Sequence, residues 1–321
     1  MLRVVIIGYG EMLTNLIAAA LDSNCNIVGV LRNETIKHSP FTIKIKNTIF
    51  PSKEYNYLKS YNIPEITDVK SVNSNSFRKK LITLNPDIVL VGSWSEKFEK
   101  TTFDIPKIAT INAHPSLLPK YRGPNPYFWT IRNCETESGI TFHLMDKGFD
   151  TGAILAQEKI KISPSETGKS LKQKTVLVAR KVACELLNSL KEDIIIPLQQ
   201  REDRASYYSH PENLEIDFKQ SSKEICALIR ASYPWTRTWF YHKDTLLTPD
   251  PKFCYIEENK TSYNNNGTIV DVDIKNNALS IICGDNKILK LSNLKLYKKI
   301  DQPFTKNYIK REIKIGDNLI Q

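Results

Sequence analysis

The sequence predicts an α/β domain built on a mostly parallel sheet, followed by a smaller domain of short strands. Two observations carry this fold class. The apolar, β-branched run Val4–Ile7 ends at Gly8 and leads into the helical stretch Met12–Leu21, as at the start of a buried parallel sheet. From about Tyr233 onward the chain is alternating and turn-rich, which is typical of a small β-barrel or sandwich.

The first domain contains further runs that predict buried strands. They are Ile27–Leu31, Asp87–Val91, Ala109–Asn112 and Gly139–Met145. Thr167–Leu190 has helical periodicity and no internal proline, so we expect one long helix there. Strand, helix and strand joined by a glycine turn is the order that opens an α/β domain.

The turn after the first strand predicts a tight connection and no nicotinamide site. A dinucleotide fingerprint needs a third glycine after Gly8 and Gly10, but Leu13 stands at that position. The second strand is followed by Arg32 and Asn33, neither of which is the acidic residue that would hold a ribose.

The second half of the chain begins with a linker pattern. Pro197 and the polar run after it end the first domain, and Ser221–Ala231 predicts a short helix. Asn264–Gly267 and Cys283–Asn286 each separate two alternating segments, so both predict hairpin turns. We expect a catalytic domain at 1–196, a linker at 197–220 and a C-terminal domain at 221–321.

The charge of the chain favours an anionic partner. Among 321 residues, 45 Lys and Arg stand against 35 Asp and Glu, a formal net charge of +10. Such a surplus attracts nucleic acid, a nucleotide-bearing substrate or a polyglutamylated cofactor. No segment approaches the roughly 18 apolar residues that a membrane span needs, so we expect no membrane association.

The six cysteines predict reduced thiols in a cytoplasmic protein. They show neither a CxxC pair nor a Cys/His ligand spacing, so we expect no structural metal site. A chain of this length does not depend on disulfides to build a core. The cysteines are Cys25, Cys134, Cys184, Cys226, Cys254 and Cys283.

The first chemical motif stands at the end of a predicted strand. Asn112 and His114 are two residues apart, so their side chains share one face. Open α/β sheets bind ligands at the carboxyl ends of their strands. Pro115 ends the strand, and Ser116–Pro119 then forms a loop whose leucines suit the wall of an apolar pocket.

The second motif is the turn Met145–Gly152, which follows the strand Gly139–Met145. Asp150 lies in this turn, where its carboxylate can point back at the sheet edge. A carboxylate near His114 favours the charged imidazolium, so we expect a raised pKa for His114. A charged imidazole suits the stabilisation of a developing oxyanion near neutral pH.

Together the two motifs resemble the signature of the folate-dependent formyltransferase family. The shared patterns are Asn-x-His, Ser-Leu-Leu-Pro and Asp-x-Gly-x-Asp-Thr-Gly, in that order. The resemblance implies a Rossmann-like catalytic domain followed by a small open, OB-like β-barrel. It implies transfer of the formyl group of 10-formyltetrahydrofolate to a primary amine without a metal. The implied catalytic residues are Asn112, His114 and Asp150, and the implied folate contacts are Ser116, Leu117, Leu118, Pro119, Trp94, Met145 and Asp146.

The expected roles follow from the charge that develops in such a reaction. Asn112 and protonated His114 donate to the formyl oxygen, where negative charge builds as the amine attacks. Asp150 keeps His114 charged and accepts the amine proton, directly or through water. No cysteine lies inside either motif, and we expect no covalent enzyme intermediate.

The first candidate acceptor is the α-amino group of methionyl-tRNA, as in translation initiation. Ile229–Trp235 resembles an element that opens the C-terminal domain of the tRNA-formylating members. The basic stretch Lys287–Lys314, including Lys298 and Lys299, suits a phosphate backbone. Candidate contacts to the acceptor are Lys44, Lys46, Arg122, Tyr127 and Arg230.

The second candidate acceptor is a sugar nucleotide that carries an amino group. The loop expected at Arg32–Pro51 lacks the glycine of the tRNA-formylating members, and Pro124–Trp129 is bulkier and more aromatic than theirs. An aromatic stretch can stack a ring. A third possibility is a folate-binding protein without activity, but such a protein is expected to have lost one of the three catalytic residues.

Overall fold

The computed structural model describes residues 1–38, 40–296 and 302–320. Within it the chain forms two compact units. The first unit contains Met1–Pro126, Glu137–Lys161 and Lys172–Ser209. The second contains Tyr127–Thr136, Ile162–Leu171 and His210–Gln321. Among the described residues, no helix combines the length and the apolar character that crossing a membrane requires.

Up to residue 191 the chain alternates between helices and strands. In chain order these are β1 (Arg3–Gly8), α1 (Gly10–Asp22), β2 (Asn26–Arg32), α2 (Asn33–Lys37), α3 (Pro40–Ile49), α4 (Lys53–Ser60), α5 (Asn75–Leu84), β3 (Ile88–Gly92), α6 (Lys100–Phe103), β4 (Ala109–His114), α7 (Pro126–Arg132), β5 (Glu137–Leu144), β6 (Ile154–Lys161) and α8 (Gly168–Lys191). Each predicted strand and the long predicted helix is confirmed, with ends that differ by a few residues at most.

The remaining elements are mostly strands. They are α9 (Ser222–Ser232), β7 (Phe240–His242), β8 (Thr245–Thr248), β9 (Cys254–Glu258), β10 (Ile269–Asp273), β11 (Ala278–Ile282), β12 (Lys287–Leu291), β13 (Lys295–Leu296) and α10 (Gln302–Glu312). A capping box fixes the start of α9, because the Ser221 hydroxyl accepts from the Glu224 N–H and the Glu224 carboxylate accepts from the Ser221 N–H.

The first unit is organised around one six-stranded sheet of order β2-β1-β3-β4-β5-β6. The first four strands are parallel, and β5 and β6 continue the sheet in antiparallel fashion. The direction in which successive strands are added to the sheet reverses at β1, because β2 lies on one side of it and β3 on the other. A reversal of this kind opens a ligand crevice at the carboxyl ends of the strands.

The alternation of β1 divides the core into two layers. Val4 and Ile6 pack with residues of α1 and α8 on one face of the sheet. Val5 and Ile7 pack with residues of α5 on the other face. Burial on both faces explains why the central strands appear in the sequence as continuous apolar runs.

Gly8 ends β1 where two strands come very close. A Cβ built on Gly8 would stand 2.3 Å from the carbonyl oxygen of Gly92, its partner on β3. The backbone of a central strand cannot move aside as a flexible side chain can. This close approach accounts for the glycine.

Gly8→Ala is expected to lower the free energy of unfolding by about 1–3 kcal/mol, the usual cost of overpacking a dense core. The reason is the contact with the Gly92 carbonyl described above. Urea unfolding followed by circular dichroism measures it as a lower midpoint at unchanged slope. A midpoint equal to that of the parent protein would contradict the close approach.

The stretch Arg32–Pro51, expected to be a loop, forms the two helices α2 and α3. The expectation of a loop there is wrong. Ile43 of α3 is buried, and the Lys46 ammonium pairs with the Glu34 carboxylate at 2.8 Å. One buried side chain in each helix, Thr35 and Ile43, and the ion pair between the helices give this segment packing that turn composition alone does not reveal.

The second unit contains a four-stranded antiparallel sheet of order β10-β11-β12-β9 and a three-stranded sheet of order β13-β8-β7. Cys283–Asn286 joins the paired strands β11 and β12, so the hairpin predicted there is confirmed. The hairpin predicted at Asn264–Gly267 is wrong, because β9 pairs with β12 and not with β10. Turn residues indicate a change of direction but do not identify the strand that will pair.

The prediction that all six cysteines are reduced is also wrong. Cys226 of α9 and Cys254 of β9 form a disulfide, with a Cα–Cα distance of 6.1 Å. Helix α9 packs against β9, and that packing brings together two residues 28 apart in sequence. The other four cysteines are free thiols.

Candidate active site

Asn112 and His114 lie side by side in space because they are two residues apart on β4, so their side chains share one face of the strand. This strand is parallel to β3 on one side and antiparallel to β5 on the other, with Asn112 opposite His143. Strand β5 therefore places a second imidazole, that of His143, directly beside Asn112. A site of one amide and two imidazoles thus forms at the carboxyl end of β4.

The Asp150 carboxylate is the group on which the other side chains converge. Its Oδ2 accepts a hydrogen bond of 2.9 Å from the Gly123 N–H. Its Oδ1 accepts from Asn112 Nδ2 at 3.2 Å and lies 3.4 Å from both His114 Nδ1 and His143 Nε2. Asp150 has a φ of +56°, a left-handed conformation that costs a non-glycine residue about 1–2 kcal/mol.

Both ring nitrogens of His114 face a protein oxygen. Nε2 lies 2.8 Å from the carbonyl oxygen of Tyr121, so this nitrogen carries a proton and donates it. Nδ1 faces Asp150 at 3.4 Å, and the residue is only 5% exposed. His114 is therefore held between a backbone carbonyl and a carboxylate, with its proton-accepting nitrogen directed at Asp150.

Burial decides the charge of this pair. Burial, with a smaller effect of His143, lowers the pKa of His114 and outweighs the neighbouring Asp150 and the Tyr121 carbonyl, which raise it. Burial by itself would raise the pKa of Asp150, but His114, His143 and the Gly123 N–H outweigh it and hold that pKa well below its usual range. The raised pKa expected for His114 from the sequence is thus wrong, because proximity to a carboxylate does not reveal how little water reaches the ring.

The depressed pKa of His114 predicts a loss of stability on the acid side of neutrality. Above its ordinary value of 6.5 the imidazole is neutral in both states. As the pH falls below that value the unfolded chain takes up a proton that the folded protein resists. The free energy of unfolding therefore falls, by at most about 1.4 kcal/mol per pH unit for one such group.

Urea unfolding between pH 7.5 and 5 measures this dependence, with His114→Gln as the comparison. The variant should lose the part of the slope that belongs to one imidazole. The carboxyl groups with lowered pKa values have ordinary values of 4.5 or below, so their own losses come at lower pH. Identical slopes for the two proteins would show that His114 is not the group concerned.

Both amide hydrogens of Asn112 form hydrogen bonds inside the site. One goes to Asp150, and the other goes to His143 Nε2 at 3.1 Å. His143 Nε2 can accept it in the neutral ring whose Nδ1 donates to the Leu144 carbonyl at 2.8 Å. His143 thus fixes the direction of the Asn112 amide.

A cleft of about 70 Å³ opens beside these groups. Three of the predicted folate contacts, Trp94, Met145 and Asp146, line it together with Asn112, His143 and Asp150. Within the described part of the chain, the buried Trp94 Nε1 has no hydrogen-bond partner. A buried N–H of this kind costs free energy unless a ligand satisfies it.

The other predicted folate contacts lie in the loop after β4 and are used partly by the loop itself. The Ser116 hydroxyl donates to the Lys120 carbonyl at 2.8 Å, and the side chain is fully buried. Leu118 is 3% exposed, and its peptide bond to Pro119 is cis. Leu117 and Pro119 are half-buried. Of the four residues, these two keep the surface that a ligand can contact.

The predicted acceptor contacts of the first unit differ in availability. Arg122 is 7% exposed, and its guanidinium already binds Gln200 and Glu202 through four hydrogen bonds. Lys46 is paired with Glu34, as described above. Lys44 is exposed on α3. Arg122 is therefore occupied within the fold, whereas Lys44 and the Glu34-paired Lys46 are both presented to solvent.

The remaining predicted acceptor contacts lie in the second unit. Tyr127 is buried there and stacks on Trp235 with ring centroids 6.1 Å apart. Arg230 donates to the Glu166 carbonyl at 2.7 Å, and burial lowers its pKa. Lys298 and Lys299 fall outside the described residues.

His143, Gly123 and Gln200 contribute to the site but escape sequence reasoning. His143 is hidden in a strand that otherwise has an apolar core pattern, and only its register against β4 places it at Asn112. Gly123 acts through its backbone N–H, which every residue but proline has. Gln200 lies in the stretch that its polar composition assigns to a linker.

The fold and the site define the class: an α/β enzyme with an amide, imidazole and carboxylate centre at the edge of its sheet. The chain belongs to the formyl transferase family. The family's N-terminal domain, described as formyl transferase, matches residues 2–187, and its C-terminal domain matches residues 209–307. The chain is therefore a formyltransferase with both domains of its family.

Similar proteins carry two kinds of name. Methionyl-tRNA formyltransferase of Clostridioides difficile is 30% identical over 290 residues, which is 90% of each chain. That of Caldanaerobacter subterraneus is 34% identical over 205 residues, and this match spans 66% of that protein and 63% of this chain. A crystal structure of an N-formyltransferase from Helicobacter canadensis, in complex with folinic acid and dTDP-3-aminofucose, is 20% identical. Its TM-score is 0.68, with 92% of this chain and all of that chain covered.

Proposed function

We propose that this enzyme moves the formyl group of 10-formyltetrahydrofolate to a primary amine, with Asp150 as the proton acceptor. The observation that carries the proposal is the convergence of Asn112, His114, His143 and the Gly123 N–H on one ionised carboxylate beside a cleft. A depressed pKa keeps that carboxylate unprotonated at neutral pH. An ionised carboxylate can accept the proton that the amine nitrogen loses after it has attacked, because that nitrogen is then positively charged and strongly acidic.

The proposed reaction proceeds without a covalent enzyme intermediate. The neutral amine attacks the formyl carbon, and the carbonyl electrons move to the formyl oxygen. The new C–N bond forms, the bond from the formyl carbon to N10 of the folate breaks, and N10 receives a proton. The amine releases one proton to Asp150, so protons balance when that proton, or one from water, reaches N10.

The imidazole of His114 supports the proton on Asp150. Its Nδ1 faces the carboxylate, and the low pKa of His114 leaves this nitrogen free of a proton before the amine attacks. Once the amine has lost its proton, Asp150 and His114 can share it across their 3.4 Å contact. This role replaces the donation by charged His114 expected from the sequence.

Asn112 is the proposed donor to the formyl oxygen. Its two amide hydrogens bind Asp150 and His143 in the free protein. The formyl oxygen replaces one of these partners as its negative charge grows, and a charged acceptor makes the stronger hydrogen bond. Preorganised donors of this kind typically contribute about 100- to 1000-fold in rate.

The proposed acceptor is the α-amino group of methionyl-tRNA. One relative with that name is similar over 90% of each chain, a length that includes both domains. The net charge of +10 suits a polyanionic substrate.

An amino-sugar nucleotide is the second candidate acceptor. The support for it is the overall likeness to an N-formyltransferase whose structure contains dTDP-3-aminofucose. That likeness extends over the whole length of the other chain, so the two-domain layout does not separate the candidates.

A competition assay tests the choice of acceptor. Purified protein and 10-formyltetrahydrofolate are offered methionyl-tRNA and dTDP-3-aminofucose together, and both formylated products are measured. We expect formyl-methionyl-tRNA, with a rate that falls steeply as salt rises because phosphate contacts release counterions. Formylated sugar without formylated tRNA at any salt concentration would reverse the assignment. Absence of both products would end the proposal.

A further inference from the structure

The segment 198–208, called the strap below, runs along the two loops that carry the catalytic groups. At its start Leu198 exchanges two backbone hydrogen bonds of 2.8 Å with Ile154, just after the Asp150 turn. At its end the Tyr208 N–H donates to the Arg122 carbonyl at 3.0 Å, and its ring stacks on Tyr121. The strap is therefore anchored to both loops.

Gln200 of the strap uses its whole amide within the site. Nε2 donates to the carbonyl oxygens of Asp150 at 2.8 Å and Gly152 at 2.7 Å. Oε1 accepts from Arg122 Nε at 3.1 Å and Nη2 at 2.8 Å. Two donors and two acceptor positions are the full capacity of a carboxamide. Among neutral side chains only a carboxamide has this capacity, and the carboxamide of Asn has the shorter reach.

The carbonyl bound by Gln200 belongs to a strained residue. Asp150 keeps its left-handed φ of +56° only where its surroundings determine that conformation. A hydrogen bond to the Asp150 carbonyl and another to that of Gly152 restrain the peptide groups that set the direction of the carboxylate. Without them the turn can relax toward an unstrained conformation and carry the carboxylate away from its partners.

The strap also restrains the opposite loop. Its Ser206 hydroxyl accepts from the Tyr121 N–H at 2.9 Å, and its Ser206 carbonyl accepts from the Arg122 N–H at 2.8 Å. Tyr121 presents the carbonyl that binds His114, and the next residues lead to the Gly123 N–H that binds Asp150. Arg122 then links this loop back to Gln200.

We propose that Gln200 is the positioning residue that holds the Asp150 carboxylate in its reactive orientation, through the Asp150 and Gly152 carbonyls on one side and the Arg122 guanidinium on the other. The inference rests on the proposed role of Asp150 and adds to it a residue of a segment that looks like a linker. Gln200 acts through Asp150 and does not itself contact the reacting atoms.

A double-mutant cycle with Asp150→Asn separates positioning from a purely structural role. Alone, Gln200→Ala should lower kcat by about 100-fold, the usual effect of a misplacement of about 1 Å, and leave the KM for 10-formyltetrahydrofolate unchanged. In the Asp150→Asn background the same substitution should lower kcat no further, because the group that it positions has already lost its function. Gln199→Ala is the matched control, since this neighbouring glutamine is exposed, and it should leave kcat unchanged.

Parent-like kcat in Gln200→Ala overturns the proposal, and so does an equal loss in both backgrounds. The assays use methionyl-tRNA, or dTDP-3-aminofucose if the enzyme refuses the tRNA. If Asp150→Asn itself keeps the parent kcat, the role of Asp150 fails and that of Gln200 with it. If Asp150→Asn loses activity as expected and Gln200→Ala keeps the parent kcat, only the role of Gln200 is contradicted.

A titration of the histidines by NMR gives a readout that needs no acceptor. Asp150 raises the pKa of His114 against the effect of burial. When Gln200→Ala releases Asp150, the pKa of His114 should fall further while the thermal unfolding curve still shows a cooperative transition. A His114 resonance that titrates as in the parent protein would mean that Asp150 has kept its place without Gln200, and would overturn the proposal.

Discussion

Replacing Asp150 by Asn lowers kcat by about 100- to 10,000-fold, the range that general acid–base catalysis typically contributes. The amide keeps the size of the carboxylate, and its oxygen can still accept the hydrogen bond from the Gly123 N–H. It carries no charge and cannot take a proton from the amine. Single-turnover measurement of formyl transfer reports this loss, and the KM for 10-formyltetrahydrofolate should change little.

Asp104→Asn is the control for Asp150→Asn. Asp104 is a surface residue after α6 that pairs with Lys100, so losing its charge leaves the site intact. This variant should retain the parent rate. An Asp150→Asn enzyme that is about as active as the Asp104→Asn enzyme would show that the carboxylate is not the proton acceptor.

Replacing His114 has the second largest expected effect, again a loss of about 100- to 10,000-fold in kcat. Substitution by Gln or by Asn separates the two contacts of the ring, one with the Tyr121 carbonyl and one with Asp150. The Gln amide can extend to the position of Nε2 and donate to the Tyr121 carbonyl, whereas the Asn amide ends near Nδ1 and faces Asp150. Neither amide accepts a proton near neutral pH, so both variants should lose the rate.

The difference between the two variants shows what His114 does. If the ring only anchors the loop through Tyr121, His114→Gln should be nearly as active as the parent and His114→Asn should not. Rates for both near the parent value would remove His114 from the mechanism altogether. Thermal unfolding of each variant shows whether a loss of rate merely follows a loss of fold.

The regular elements were predictable because local pattern and tertiary burial agree. The strand ending at Gly8 is buried on both faces along Val4–Ile7, so that run is entirely apolar. The long helix α8 has one apolar stripe and no breaker, and its predicted ends differ from the observed ends by one residue. Strand pairing could not be predicted in this way. Strand β10 follows the turn at Asn264–Gly267, but β9 is hydrogen-bonded to β12 and not to β10.

The convergence of Asn112, His114 and Asp150 was predictable because the first two share one face of a strand and the third follows a neighbouring strand. The direction of the pKa shift of His114 was not predictable. The pKa of His114 depends on how much water reaches the ring, and the groups around the ring include Tyr121, His143 and Asp150, which come from three separate segments. A nearby carboxylate in the sequence predicts one sign of the shift, and the buried location imposes the other.

From its sequence alone this protein is determined to be an α/β chain with an Asn-x-His strand end, an Asp-Thr-Gly turn and the pattern of its family, since these are properties of residue order. Only the tertiary structure decided that His143 directs Asn112, that Cys226 meets Cys254, and that Gln200 reaches Asp150. The physical reason is that each of these contacts joins residues from separate elements. Such contacts depend on strand register and on where buried backbone groups find partners, which no local pattern records.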